Sequence, residues 1–180
     1  MVGQLVERIR QKDQRAMNQL YQMYVEELSS VCYRYVPHTD DVKDVLQNSF
    51  VKIFTSIQTF DYRNEDNFRA WMKRVVANEA LSYLKQRKKL AFVEQDTASQ
   101  DISDDEEPSS ERLSADELHQ LISELPDGYR TVLNLYVFEG YSHRQIAEML
   151  NISECTSASQ LYHAKQLLAK RIKDLTKNKL

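Results

Sequence analysis

YSHRQIAEMLNISECTSASQLYHAKQLLAKRI, residues 141–172, reads as two helices joined by a tight turn. Ser142 stands where an N-cap belongs, and Gln145 three positions on completes a capping box, so that two backbone N–H groups of the first turn find partners. Ile146, Ala147, Met149 and Leu150 give the first helix an apolar face. Asn151-Ile152-Ser153 reads as a turn with a buried apolar centre, and Ser153 as the N-cap of the second helix. In that second helix Leu161, Ala164, Leu168, Ile172 and Leu175 recur on one stripe at helical spacing. Its first turns hold small and polar residues instead: Thr156, Ser157, Ser159, Gln160, Tyr162 and His163. A helix that enters a DNA groove needs this division, because its N-terminal turns meet bases and phosphates while its far end packs on the domain. The spacing therefore predicts a helix-turn-helix; an ordinary helical hairpin is the alternative.

Upstream, Ser114 and Glu117 form a second capping box ahead of Leu118, Leu121, Ile122 and Leu125. Leu125-Pro126-Asp127 breaks that helix, with Asp127 placed to cap the next, where Tyr129, Val132, Leu133, Tyr136 and Val137 are apolar and Gly140 closes the element. The stretch EQDTASQDISDDEEPSSER (94–112) has one large aliphatic residue, too little apolar surface to offset the entropy of ordering it, and reads as an extended acidic linker. Before it, four helices are expected: a short one with Leu5, Val6 and Ile9, then one from Asp13 to Tyr35, a third from Thr39 or Asp40, and a fourth from about Phe68 to Lys89. The third carries Val42, Val45, Leu46, Ser49, Phe50, Ile53, Phe54 and Ile57 at i, i+3, i+4 spacing. The fourth is expected to bury Phe68, Trp71, Met72, Val75, Val76 and Leu84, and to turn Arg69, Lys73, Arg74, Asn78, Lys85, Arg87, Lys88 and Lys89 outward. A polar loop, TFDYRNEDN (59–67), joins these two helices. The organisation expected is an all-α chain of two small domains, 1–92 and 113–180, with residues 93–112 between them.

Only 3 Gly and 3 Pro among 180 residues leave few helix breakers, which supports the all-helical reading. The net charge of −3 hides an uneven pattern: +4 over residues 1–92, −7 over 93–112 and zero over 113–180. A basic domain and an acidic strip beside it suggest organised, charged partners. Cys32 and Cys155 lie far apart in helical contexts and read as reduced thiols. The charged opening MVGQLVERIRQKDQ lacks the apolar core of a signal peptide, and no apolar run is long enough to span a bilayer, so a soluble cytoplasmic protein without membrane insertion is expected. No Gly-rich phosphate loop, nucleophile elbow or metal-spaced His/Cys set is present, and His38, His119, His143 and His163 are scattered; neither enzyme chemistry, a cofactor nor a metal is expected.

Taken together, three segments resemble the extracytoplasmic-function sigma factors of bacterial RNA polymerase. DDVKDVLQNSFVKIF (40–54) is similar to the family's polymerase-binding helix, FRAWMKRVVANEALSYLKQRKK (68–89) to its promoter-melting helix, and LPDGYRTVLNLYVFEGYSHRQIAEMLNISECT (125–156) to its −35-binding domain. The resemblance implies that Asp41, Asp44, Gln47, Asn48 and Phe50 dock on core polymerase, with Phe50 as an aromatic anchor in a polar rim. It implies that Lys73, Arg74, Lys85, Arg87, Lys88 and Lys89 supply cations at the −10 element. Phe60, Asp61, Tyr62, Asn64, Asn67 and Asn78 would form a pocket and its hydrogen bonds for an extruded base. Trp71, on the helical phase of Phe68 and Val75, is expected in the core. At the −35 element the expected contacts are Thr156, Ser157, Ala158, Ser159, Gln160, Tyr162 and His163, with Gln160 paired to an adenine and Ala158 against a thymine methyl. Cys155, Ala158 and Gln160 depart from the family's usual Gly and basic residues. Core polymerase and promoter DNA are the implied partners, and an anti-sigma factor a further candidate. The competing function is a stand-alone helix-turn-helix transcription regulator.

Overall fold

The computed structural model describes residues 1–87 and 113–177. The acidic segment 93–112, together with Lys88 and Lys89, lies outside the described residues. The chain divides into two compact units, Met1–Arg87 and Lys88–Leu180. Among the described residues the regular structure is helical, with no strand.

The first unit holds α1 (Val2–Arg10), α2 (Gln14–Tyr35), α3 (Thr39–Ser56) and α4 (Glu65–Gln86). Asp13 caps α2, its carboxylate accepting from the N–H groups of Arg15 and Ala16 at 2.8 and 3.2 Å. Arg8 reaches the same carboxylate at 2.8 Å, and that bond above all holds it below the usual carboxylate range. α2, α3 and α4 pack on one another around Leu20, Leu28, Ile53, Phe68, Met72 and Leu84, all of them fully buried, and α1 closes one side with Ile9. α4 starts three residues before its expected position. Asn64 explains this, since its side-chain oxygen accepts from the N–H of Asn67 at 2.8 Å while Glu65 and Asp66 sit at the positive end of the helix.

The second unit holds α5 (Ala115–Ser123), α6 (Asp127–Leu133), α7 (His143–Leu150) and α8 (Glu154–Lys177). Both expected capping boxes form, Ser114 with Glu117 and Ser142 with Gln145. Asp127 does not cap α6. It is the first residue of the helix and pairs with Arg130, whose guanidinium also donates to the carbonyls of Ser123 and Leu125. α6 runs into a π turn at Asn134–Phe138, marked by the N–H of Glu139 bonding five residues back to Asn134. The wider turn breaks the 3.6-residue phase, so Val132, Leu133 and Leu135 are buried while the apolar Tyr136 and Val137 are exposed. Asn151 takes the left-handed conformation (φ 56°) that ends α7 and turns the chain into α8. Ser153 then caps α8, accepting from the N–H of Thr156 at 2.9 Å.

Candidate nucleic-acid interfaces

Residues 57–64, between α3 and α4, present an open pocket of about 440 Å³ lined by Ser56, Thr59, Phe60, Asp61, Arg63, Asn67 and Trp71. Its wall is aromatic. Phe60 stacks on Trp71 with ring centroids 4.4 Å apart and planes 25° from parallel, and both lie 5.6 Å from Phe68, which is buried beneath them. Its rim is polar and charged, with Arg63 donating to Asp61 at 2.9 Å. An aromatic surface beside hydrogen-bonding side chains suits a single unstacked base. Of the expected pocket residues, Phe60, Asp61 and Asn67 are brought together. Tyr62 packs its edge on Phe68 at 5.9 Å instead, and Asn64 is engaged as the helix cap. Trp71 corrects the expectation of core packing: it is half-exposed and lines the pocket. It shares a stripe with Asn67, Arg74, Asn78 and Lys85, spaced by three, four and seven residues, on the face that the structure leaves open to solvent.

Lys73 does not share that stripe. It faces α2, where Glu27 binds it at 2.7 Å and binds Arg69 at 2.9 and 3.2 Å. Burial pushes the Glu27 carboxyl up, but the two cations outweigh it and hold the group below the ordinary glutamate range. Tyr24 continues this polar seam to Glu65 at 3.2 Å, and burial, with that carboxylate adding to it, pushes the phenol up to about 12. Arg74, Asn78 and Lys85 remain on the exposed face of α4.

In α8 the structure divides the expected −35 contacts. Ser157 and Gln160 are buried, at 0% and 1% exposure, and Ser157 Oγ lies 2.9 Å from Nδ1 of His143 at the start of α7. Ser157 joins the two helices of the hairpin, and neither side chain is offered to a groove. This corrects the proposed Gln160–adenine pair. The reason is phase: Ser157, Gln160, Leu161 and Ala164 are three or four residues apart on the side that meets the domain. Ala158 is exposed, while Ser159, Tyr162 and His163 are half-exposed, and His163 stacks on Tyr129 at 5.8 Å. Thr156 bonds its hydroxyl to that of Ser153 at 2.8 Å. From Glu154 to Ala164 the helix has no Lys or Arg. Cys155 is exposed, whereas burial pushes the thiol of Cys32 up to about 12.

On α3 two of the five expected docking residues turn inward. Phe50 is 4% exposed, packed 4.7 Å from Tyr21, and Asp41 reaches Arg87 at the end of α4 at 3.7 Å. Asp44, Gln47 and Asn48 are exposed, alongside Val51. A contact that sequence reasoning missed is Arg10 of α1, which donates to the carbonyls of Ile57 and Phe60. It links residues 47 and 50 positions apart, so no local pattern announces it. Among the described residues no His, Cys, Asp or Glu cluster is arranged to hold a metal, and no helix is long and apolar enough to cross a membrane.

In chain order, residues 20–90 match the Sigma-70 region 2 family and residues 115–168 the Sigma-70, region 4 family. A helical unit with an aromatic pocket and, after it, a helix-turn-helix unit thus make the two-part framework of a sigma-type transcription initiation factor, a non-enzymatic class. Across nearly its whole length the chain is 31% identical to the ECF RNA polymerase sigma-E factor of Haemophilus influenzae, covering 95% of each. It is 25% identical to the ECF RNA polymerase sigma factor SigW of Bacillus subtilis, over 97% of this chain and 98% of that one. The chain belongs to the ECF RNA polymerase sigma factors. Its fold is also similar to that of the sigma factor RpoE solved in complex with the anti-sigma factor NepR from Bartonella quintana, with a TM-score of 0.51 at 17% identity over 87% of this chain and 96% of that one. A stand-alone regulator has no need of the region 2 unit, so that reading gives way.

Proposed function

We propose that the chain binds core RNA polymerase in the cytoplasm and directs it to promoters, the unit within 1–92 opening and reading the −10 element and the unit within 113–180 reading the −35 element. Segment 93–112 serves as the acidic connection between them. The observation that carries this reading is the pocket of Phe60, Asp61, Asn67 and Trp71 beside the exposed stripe of Arg74, Asn78 and Lys85. Promoter opening involves no bond chemistry. It requires that the unstacked strand be held better than the duplex. Stacking one base on an aromatic surface is worth about 1–3 kcal/mol, comparable to the few kcal/mol that extruding it costs. The cations of the stripe hold the backbone on either side.

On α8 the base-reading residues are Ala158, Ser159 and Tyr162, with Thr156 and His163 at the flanks. Asp44, Gln47 and Asn48 on α3 dock on the polymerase, and Val51 supplies the apolar member of that face in place of Phe50. An anti-sigma factor is a natural further partner, as for the RpoE chain solved with one. The test is transcription from genomic fragments by core polymerase with this protein as the only added factor. Discrete promoter-specific transcripts are expected. Transcripts that appear only when another sigma factor is added would overturn the proposal.

A further inference from the structure

We infer that α1 is part of the −10 pocket, with Arg10 and Gly3 as positioning residues that set the shape of loop 57–64. Arg10 spans the first half of the loop: Nε donates to the carbonyl of Ile57 at 3.1 Å and Nη2 to that of Phe60 at 2.5 Å. Its third nitrogen, Nη1, is held by Glu7 at 2.6 Å, and Gln58 returns a bond to the Arg10 carbonyl at 3.1 Å. A guanidinium is a rigid planar fork, and bonds from a charged donor are about twice as strong as neutral ones. Two carbonyls three residues apart are therefore fixed relative to α1. Ile57 is fully buried, so one end is also anchored by its side chain. At the other end the backbone of Phe60 is set by Arg10, which leaves its ring only rotamer freedom, and the ring is the one stacked on Trp71.

Gly3 makes the second contact. A Cβ at this position would lie 3.1 Å from Cε1 of Tyr62, tighter than ordinary packing, so the absence of a side chain is what lets Tyr62 lie against α1. Tyr62 in turn meets Phe68, the ring beneath the pocket. α1 thus holds the loop on both sides of Asp61, whose neighbour Phe60 forms the wall. A loop already in its binding shape gives up little entropy when a base enters, and affinity and selectivity rise accordingly.

This inference rests on the pocket receiving a base, and the experiment separates the two ideas. A promoter is first mapped by run-off transcription with holoenzyme, and the probe is its non-template −10 strand with each base replaced in turn by an abasic spacer. Wild-type holoenzyme should lose roughly ten- to hundredfold in affinity at the extruded position. In Arg10→Gln, and in Arg10→Lys, which keeps the charge but not the fork, that loss should shrink to within about threefold. Polymerase affinity should stay unchanged. Gly3→Val tests the second contact independently: it removes a helix-weakening glycine, so a loss of discrimination there comes from displacing Tyr62. A purely structural role would weaken intact and spacer-bearing strands alike and leave their ratio as in the wild type. Wild-type ratios in Arg10→Lys and Gly3→Val would therefore overturn the inference. Insensitivity of the wild type at every position would overturn the pocket reading itself, and this inference with it.

Discussion

On the proposed −35 reading, Ala158→Lys should add one phosphate contact to a stretch of α8 that carries no Lys or Arg. The position is exposed, and no Lys or Arg lies between Glu154 and Ala164, so the change starts from a helix without its own cations there. Each phosphate neutralised on duplex DNA steepens the dependence of log K on log salt by about 0.9. Between roughly 50 and 200 mM salt, about a fourfold span, the variant should then lose about 3.5-fold more affinity than the wild type. Glu154 stands one turn ahead at i−4 and will compete for the new ammonium, but such a pair is worth only about 0.2–0.5 kcal/mol, at most about twofold. The added slope survives that competition, and Glu154→Gln in the same chain should increase it. The assay is fluorescence anisotropy of a −35 duplex titrated with the full chain at several salt concentrations, with Ala158→Gln as the uncharged control of similar reach. Parallel log–log lines for wild type and Ala158→Lys would refute the proposed placement of this residue at the DNA surface.

Two further outcomes depend on where side chains sit. Phe50→Ala should cost about 3–5 kcal/mol of stability, seen as a lower denaturation midpoint, because the ring is buried against Tyr21 and Phe54. Asp44→Arg, on the exposed face, should weaken polymerase binding and leave that midpoint in place; the reverse pattern would return Phe50 to the docking surface. Glu27 gives a pH signature. Its folded carboxyl is held below the ordinary range by Lys73 and Arg69, so its stabilisation is complete above that range and is lost as pH falls through it to the folded value. The stability gap between wild type and Glu27→Gln should thus be widest near neutrality and close in acid, and a gap independent of pH would show that the carboxylate charge is not what joins α2 to α4.

The order of the helices and several of their caps can be read from the chain alone; the Asn64 cap of α4 and the uncapped start of α6 at Asp127 cannot. Capping boxes at Ser114 and Ser142, the Ser153 cap and the turn at Asn151 are local events, decided within a single helical turn by which backbone groups would otherwise lack partners. The apolar stripes likewise come from the 3.6-residue period, and with them the all-α fold and the helix-turn-helix. Tertiary structure decided which faces those helices offer. Ser157 and Gln160 look like groove residues in the chain and are buried in the assembled unit. Phe50, expected on the docking face, belongs to the core, and Trp71, an apolar residue at core spacing, lines an open pocket. The π turn at Asn134–Phe138 moves Tyr136 and Val137 outward, which no fixed period predicts. Arg10 reaches the loop it supports across 47 to 50 residues of chain. Backbone hydrogen bonding is satisfied locally and can be read locally; the exposure of a side chain depends on which distant helix packs beside it, and only the assembled unit settles that.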